Sequence, residues 1–227
     1  MDKIILKANK ICKAYKNGDN ELSVLNDFSL ELKQNQIITI TGQSGSGKST
    51  ALNILGTLDS PDSGFLEING LKIDNLNEYQ LSKIRNENIG FVFQFHHLLS
   101  EFTSLENVLI PAWIKNSSSN KKEEAIELFE KLKLTPKLNN YPNQLSGGER
   151  ARIALIRAII NKPSILLADE PTGNLDNINA KKLIDLLIQI SQNFGQSMII
   201  TTHNPDVASI GQKKFLLENG YLKNKEK

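Results

Sequence analysis

The sequence predicts an α/β fold in which a mostly parallel core sheet is covered by helices and interrupted by a helical insertion. Three observations predict it. Apolar or β-branched runs at Ile37–Thr41, Ser164–Ala168 and Met198–Thr202 alternate with segments of helical periodicity, the pattern of strands joined by helical crossovers. A glycine-rich segment, GQSGSGKST at 42–50, follows the first run directly. Residues 95–160 carry helical spacing and read as a lobe inserted into the α/β core.

Taken in order, the N-terminal part reads as short strands with turn punctuation. Leu66–Ile68, Asn69–Gly70 and Leu71–Ile73 form a hairpin signal, because Asn-Gly suits a two-residue type I′ turn. Ile37–Thr41 leads into the glycine loop, and a helix is expected from about Lys48. Ala125, Leu128, Phe129 and Leu132 stand at i, i+3, i+4, i+7, one apolar helical face. Ile153, Ile156 and Ile160 repeat that spacing, and SSSN at 117–120 reads as a surface loop. Beyond the insertion come a buried strand at 164–168, a helix carrying Leu183, Ile184, Leu187 and Ile188, and another strand at 198–202. Asn219–Gly220 between Phe215–Leu217 and Tyr221–Leu222 predicts a second hairpin, and the lysine-rich end is expected to fray.

With 227 residues the chain can bury a core without disulfides. Its 27 basic residues nearly balance 25 acidic ones, so no electrostatic footprint argues for nucleic acid. The single cysteine, Cys12, excludes an intramolecular disulfide; it fits a reducing cytosol and reads as a small buried hydrophobe. No apolar run approaches the roughly 18–20 residues that span a bilayer, and MDKIILKANK has no extended apolar core like that of a signal peptide. The chain is expected to be soluble by itself, so a membrane role must come through a partner.

The chemistry sits in motifs. Gly42, Gly45, Gly47, Lys48 and Ser49 satisfy GxxxxGK[ST] between a strand and a helix, the context that a phosphate loop requires. Its glycines let backbone N–H groups approach phosphate oxygens, and the helix N-terminus adds a favourable dipole. Lys48 supplies a point charge for β/γ-phosphates, and the Ser49 hydroxyl can ligate Mg²⁺. The run ending in Asp169–Glu170 sets two acids at a strand's C-terminal end, where open α/β sheets place ligand chemistry. Asp169 is expected to hold Mg²⁺ and Glu170 to polarise an attacking water, a coherent pair for phosphoryl transfer. Gln94 and His203 each follow a strand-like run. Either reaches a γ-phosphate or its water only if its strand neighbours the others, which spacing alone does not settle.

GQSGSGKST, Gln94, LSGGER at 145–150, ILLADE, PTGNLD at 171–176 and His203 occur in one order along the chain. In that order the sequence resembles the ATP-binding subunits of ABC transporters over essentially its whole length. The resemblance implies a P-loop NTPase of the ABC cassette type, a single domain over 1–227. Residues 1–94 and 161–227 would form the nucleotide-binding core, with an N-terminal antiparallel β subdomain, and 95–160 the helical subdomain. It implies ATP and Mg²⁺ as ligands and hydrolysis as the reaction. Gly42, Gln43, Ser44, Gly45, Ser46, Gly47, Lys48, Ser49 and Thr50 would cradle the nucleotide. Gln94 takes a Mg²⁺-linked role that couples the lobes, and His203 a γ-phosphate switch role. Ser146, Gly147 and Gly148 would contact ATP held by a second copy, with Asp176 at the seam of the homodimer. Tyr15 fits the adenine-stacking aromatic, with a core tyrosine as the alternative.

LGTLDSPDSG at 55–64 and PTGNLD look like the branch that includes lipoprotein-releasing, macrolide-exporting and FtsE-type ATPases. FQFHHLLSEFTSLENV at 93–108 is similar to the lipoprotein-releasing subunits. Without that likeness His96 and His97 read as surface residues, since no Cys or further clustered His offers a metal site. The implied complex has two integral membrane subunits of the LolC/LolE kind, contacting the surface just after Gln94 at the cytoplasmic face of an inner membrane. An FtsE-like adaptor and a MacB-like export ATPase remain open. One departure is Ala151, where the family usually has a glutamine.

Overall fold

The structure is a computed structural model describing residues 3–18, 20–115 and 120–225. Residues 117–119 of the SSSN segment and the last two residues lie outside them. Two sheets and three apolar clusters organise the chain.

The first sheet is antiparallel, in the order β2-β1-β4-β5, from β1 (Ile4–Asn17), β2 (Asn20–Lys33), β4 (Ser63–Ile68) and β5 (Leu71–Lys72). The expected Asn-Gly hairpin is β4–β5, with Asn69 at φ 51 and Gly70 at φ 82, the positive pair that a type I′ turn needs. The first two strands are not short, as the punctuation predicts, but 14 residues each. Register shifts break their pairing, and Lys10 and Asp27 adopt positive φ. Such irregularities interrupt the period-two pattern by which a long strand is read. Cys12 is half-buried in this sheet, and its sulfur accepts the Asp27 N–H at 3.4 Å.

The second sheet runs β10-β9-β3-β8-β7-β6, from β3 (Ile37–Thr41), β6 (Ile89–Val92), β7 (Ile165–Asp169), β8 (Ser197–Thr201), β9 (Lys213–Glu218) and β10 (Tyr221–Asn224). Every pair from β9 to β6 is parallel, and only the β9–β10 hairpin is antiparallel. Side chains alternate across it with period two. Ile38, Ile40, Ile165, Leu167 and Ile199 face the antiparallel sheet and α1 (Lys48–Leu55). Ile37, Leu166, Ala168, Met198 and Ile200 face α5 (Gly147–Ile159) and α6 (Asn177–Phe194). Each fully buried Leu or Ile contributes roughly 1.5–3 kcal/mol, so a sheet covered on both sides is the rigid frame of the molecule.

Between β6 and β7 lie α3 (Ser104–Ile114), α4 (Lys121–Lys131) and α5. The predicted faces meet here: Ala125 and Phe129 of α4 pack with Ile153, Ile156 and Ile160. Helix α5 carries a second face, Ala151, Leu155 and Ile159, buried against the sheet and α6. It therefore belongs to both bodies. The alanine at 151 is fully buried in this packing. Two helices are not predicted from the sequence, because each carries at most a short apolar signal, in α2 (Glu78–Asn88) only Leu81 and Ile84. No residue of α2 is fully buried, and its start is fixed by a capping box between Asn77 and Gln80. The other, α7 (Pro205–Ser209), is one turn capped by Asn204.

Candidate active site

The C-terminal ends of β3, β6, β7 and β8 open at one edge, where parallel sheets place their ligand chemistry. A cleft of about 680 Å³ lies there, lined by Tyr15, the 42–50 loop, Gln94, Asp169, Glu170 and His203. Positions as distant as Gly42 and His203 thus converge because their strands are neighbours, and Tyr15 comes from β1 of the other sheet. A second hollow of about 470 Å³, lined by Ile5, Leu128, Ile159, Phe194 and Gln196, holds none of the motif residues.

The glycine loop is held open by its backbone. Gly45 and Gly47 have φ of 78° and 97°, a region costly for any side chain. A Cβ on Gly47 would also stand 2.9 Å from the Val24 carbonyl oxygen. Lys48 is buried, and its Nζ donates to the carbonyls of Gly42 at 2.9 Å and Gln43 at 2.8 Å. The ammonium is thereby held under the loop at the cleft. Ser49 and Thr50 line the cleft at the start of α1. Ser46 does not line it; its hydroxyl oxygen is buried without a partner.

The acids are fixed from β8. Thr201 Oγ1 donates to Asp169 Oδ1 at 2.6 Å, leaving the other carboxylate oxygen for a ligand. Glu170 adopts φ 44, disfavoured for a residue with a Cβ. Its N–H bonds the Thr201 carbonyl at 2.9 Å, and its own carbonyl accepts the Gly173 N–H at 2.9 Å. Strain of this kind persists where surrounding bonds impose it. Both carboxylate oxygens are engaged by His203: Nδ1 lies 2.9 Å from Oε1, and the backbone N–H donates to Oε2 at 3.1 Å. The imidazole itself is 70% exposed against 13% for the glutamate. One end of this pair is anchored and the other faces the cleft.

Gln94 is tied to the PTGNLD segment, since Asn174 Nδ2 donates to its carbonyl at 3.0 Å. Tyr15 stands at the cleft wall, its ring 41% exposed. Its hydroxyl donates to Asp59 Oδ2 at 2.6 Å, and Lys13 Nζ, which also donates to the Ser60 carbonyl at 2.7 Å, donates to Asp59 Oδ1 at 2.9 Å and lies 5.2 Å from the tyrosine ring centroid. Burial pushes the Asp59 carboxyl up, but the bonds from Tyr15 and Lys13 outweigh it and hold it below the usual carboxylate range. Asp59 and Asn174 lie within LGTLDSPDSG and PTGNLD and Thr201 within the β8 run, but motif reasoning gives none of the three a role. Their only signal is a place within a motif or across one strand pair.

Ser146, Gly147, Gly148 and Asp176 do not line the cleft. Ser146 caps α5 in a reciprocal box with Glu149, and Asp176 caps α6 through the Asn179 N–H at 2.9 Å. The two helix starts abut: a Cβ on Gly148 would fall 2.4 Å from Asn179 Oδ1. Ser146 and Asp176 are both exposed. Two N-termini side by side form an anion-attracting surface that this copy's own cleft does not use. The two histidines divide differently from the surface reading. His97 is exposed, but His96 is buried because Arg157 draws the backbone of both inward.

The family model described as ABC transporter matches residues 25–173. The chain belongs to the ABC transporter family. The matched span of this ABC cassette takes in the glycine loop, Gln94, LSGGER and both acids; His203 lies beyond it. Among curated relatives, the cassette is 43% identical to the lipoprotein-releasing system ATP-binding protein LolD of Buchnera aphidicola subsp. Schizaphis graminum, covering 97% of each chain. It is 42% identical to LolD of Alcanivorax borkumensis, covering 96% of each. Among solved structures it matches a dimeric bacterial ABC transporter cassette, MJ0796, with TM-score 0.89, 37% identity and 96% of each chain covered. It also matches that cassette in a post-hydrolysis state bound to ADP and Pi, with TM-score 0.90, 37% identity and 98% coverage of each.

Proposed function

We propose that the chain is the ATP-hydrolysing subunit of a lipoprotein-releasing ABC transporter, working as a homodimer beneath two integral membrane subunits of the LolC/LolE kind. The observation that carries the two-copy reading is the separation just described. One cleft holds the phosphate loop, the acids and His203, while Ser146, exposed, and Gly147, half-buried, open α5 away from that cleft beside the buried Gly148, so that they complete a site only when a second copy supplies them. The lipoprotein cargo is supported by the near-full-length likeness to LolD proteins.

In this reading Tyr15 stacks the adenine, and residues 42–50 wrap the phosphates through backbone N–H groups. Lys48 leaves the Gly42 and Gln43 carbonyls for the β/γ-phosphates. Ser49, Gln94 and Asp169 offer a hydroxyl, an amide oxygen and one carboxylate oxygen, which fits Mg²⁺, a hard cation that keeps water and phosphate oxygens as further ligands. Among the described residues no three His, Cys, Asp or Glu side chains form a metal cage, so these donors are the ones that would hold it. Bound there, the ion supplies neutralisation of charge on the β- and γ-phosphate oxygens. Glu170 orients the attacking water and takes its proton. His203, pinned to Glu170, presents its exposed imidazole toward the γ-phosphate. Asp176 stands at the dimer seam.

Among the described residues no helix is long and apolar enough to cross a membrane, so the proposed place at the cytoplasmic face of the inner membrane depends on partners. A groove of about 330 Å³ beside the Gln94 strand, lined by Phe91, Phe93, Pro111 and Ile114 together with Arg85 and Arg157, is where a membrane subunit's short helix would dock. Co-purification of the tagged chain from native membranes tests the assignment. Recovery of two membrane subunits that extract lipoproteins in an ATP-dependent way supports it; recovery of a cell-division partner without transport activity overturns the cargo.

A further inference from the structure

Arg157 lies on α5, three turns beyond the Ser146 cap, and motif reasoning gives it no task. Its guanidinium donates from Nη1 to the His97 carbonyl and from Nη2 to the His96 carbonyl, both at 2.6 Å. Among the described residues no carboxylate pairs with it, and burial pushes its pKa down. The side chain is half-buried at the groove beside β6, and its two charge-assisted bonds go to backbone carbonyls, so what they fix is the course of the chain at residues 96 and 97.

The two carbonyls belong to an unusual turn. His96 and His97 have φ of 62° and 45°, consecutive left-handed residues without a glycine, which the chain adopts only under constraint. The His96 N–H bonds the Phe93 carbonyl at 3.0 Å and the His97 N–H bonds the Phe95 carbonyl at 2.7 Å. Gln94 sits inside that turn. On its other side Gln94 meets Asn174, whose carbonyl lies 3.9 Å from where a Cβ on Gly147 would be. The start of α5 thus lies beside Asn174, which bonds the Gln94 carbonyl, while Arg157 farther along the same helix bonds the turn that contains Gln94. Between Ser146 and Arg157 the helix spans about 16 Å at 1.5 Å per residue.

We infer that Arg157 is a positioning residue that transmits the placement of the Ser146 helix to Gln94 through the backbone of His96 and His97. The inference rests on the proposed role of Gln94 in hydrolysis. A shift of α5, as when its N-terminus engages nucleotide on a second copy, moves the clamped carbonyls and Gln94 with them. Lysine at 157 keeps the charge but cannot bridge two carbonyls in a planar fork.

The test is a double-mutant cycle on the full-length chain, with Arg157→Lys, Gln94→Ala and the pair. We expect R157K to lower kcat about tenfold or more with KM for ATP within about twofold, and to cost under about twofold in the Q94A background, because groups acting through one another are not additive. Amide exchange over residues 94–98 in R157K, measured without nucleotide, should rise about tenfold or more while the 42–47 loop is unchanged. Equal fractional losses in both backgrounds, or unchanged exchange at 94–98, overturn the inference and leave the reading of the site standing. Full kcat in Q94A alone overturns the role given to Gln94, and the inference with it. Should R157K fail to fold, Arg157→Gln, which keeps one donating nitrogen and carries no charge, goes through the same cycle with the same criteria.

Discussion

Replacing Glu170 by glutamine separates chemistry from fold more cleanly than any other single change. The carboxylate accepts the His203 backbone N–H at 3.1 Å and lies 2.9 Å from the imidazole Nδ1. Glutamine keeps one acceptor and turns an NH₂ group against the other donor. A hydrogen bond to a charged group contributes about 1.5–3 kcal/mol; with the imidazole 70% exposed, solvent recovers much of that, leaving about 1 kcal/mol. For a domain of this size such a loss lowers Tm by about 2–4 °C. The rate effect is far larger. A positioned general base contributes about 10²–10⁴-fold, equivalent to about 2.7–5.5 kcal/mol of barrier. Glu170 touches neither the glycine loop nor Tyr15 in any bond described above, so ATP affinity should stay within about threefold. The assay is steady-state phosphate release alongside thermal melting and size-exclusion chromatography with ATP. E170Q should melt nearly normally, bind ATP, accumulate as a dimer and barely turn over. Multiple turnover within about fivefold of the parent rate would remove Glu170 as the base.

Gly148→Ala gains up to about 1 kcal/mol of helix propensity but drives its Cβ to 2.4 Å from Asn179 Oδ1 and 2.9 Å from Asn179 Cβ. Overpacking of this kind costs about 1–3 kcal/mol, so urea unfolding should show a net loss and an impaired ATPase; a stabilised, fully active variant would contradict the abutting helix starts. Bonds from Tyr15 and Lys13 to Asp59, and from Ser146 and Lys137 to Glu149, outweigh burial and hold both carboxyls below their usual range. The stability they add is complete above the unfolded pKa of about 4 and is lost as pH falls through the lower folded values. The urea midpoint should therefore be flat above about pH 5 and fall below about pH 4, less steeply in a D59N/E149Q double variant; identical slopes in parent and variant would refute the assignment.

The sequence reveals what is written locally. Asn69–Gly70 predicts its hairpin because only a few residues tolerate two positive φ values in succession, and the 42–50 loop is legible because phosphate chemistry demands its spacing. Strands β3, β7 and β8 are legible as apolar runs because both faces of the sheet are covered. The rest depends on partners far along the chain. His96 looks like a surface residue until Arg157, 61 positions away, is seen to draw it in. The length of β1 and β2 is hidden by irregular pairing around Lys10 and Asp27. In α2 the capping box marks the start, since Leu81 and Ile84 are its apolar contacts with the core and neither is fully buried. The association of Gly148 with Asn179 follows from packing between helices, which no spacing rule contains.

The central claim is that each hydrolytic site is built from one copy's phosphate loop and the other copy's Ser146 segment. Mixing two inactive variants tests it most directly. Lys48→Ala spoils the loop and leaves the Ser146 surface intact; Ser146→Arg does the reverse. In a mixed dimer one site receives both defects and the other receives neither. Random pairing of equal amounts then restores about a quarter of parent ATPase from two preparations that are each inactive. No recovery on mixing under conditions where mixed dimers form, or full activity of Ser146→Arg on its own, would contradict the account.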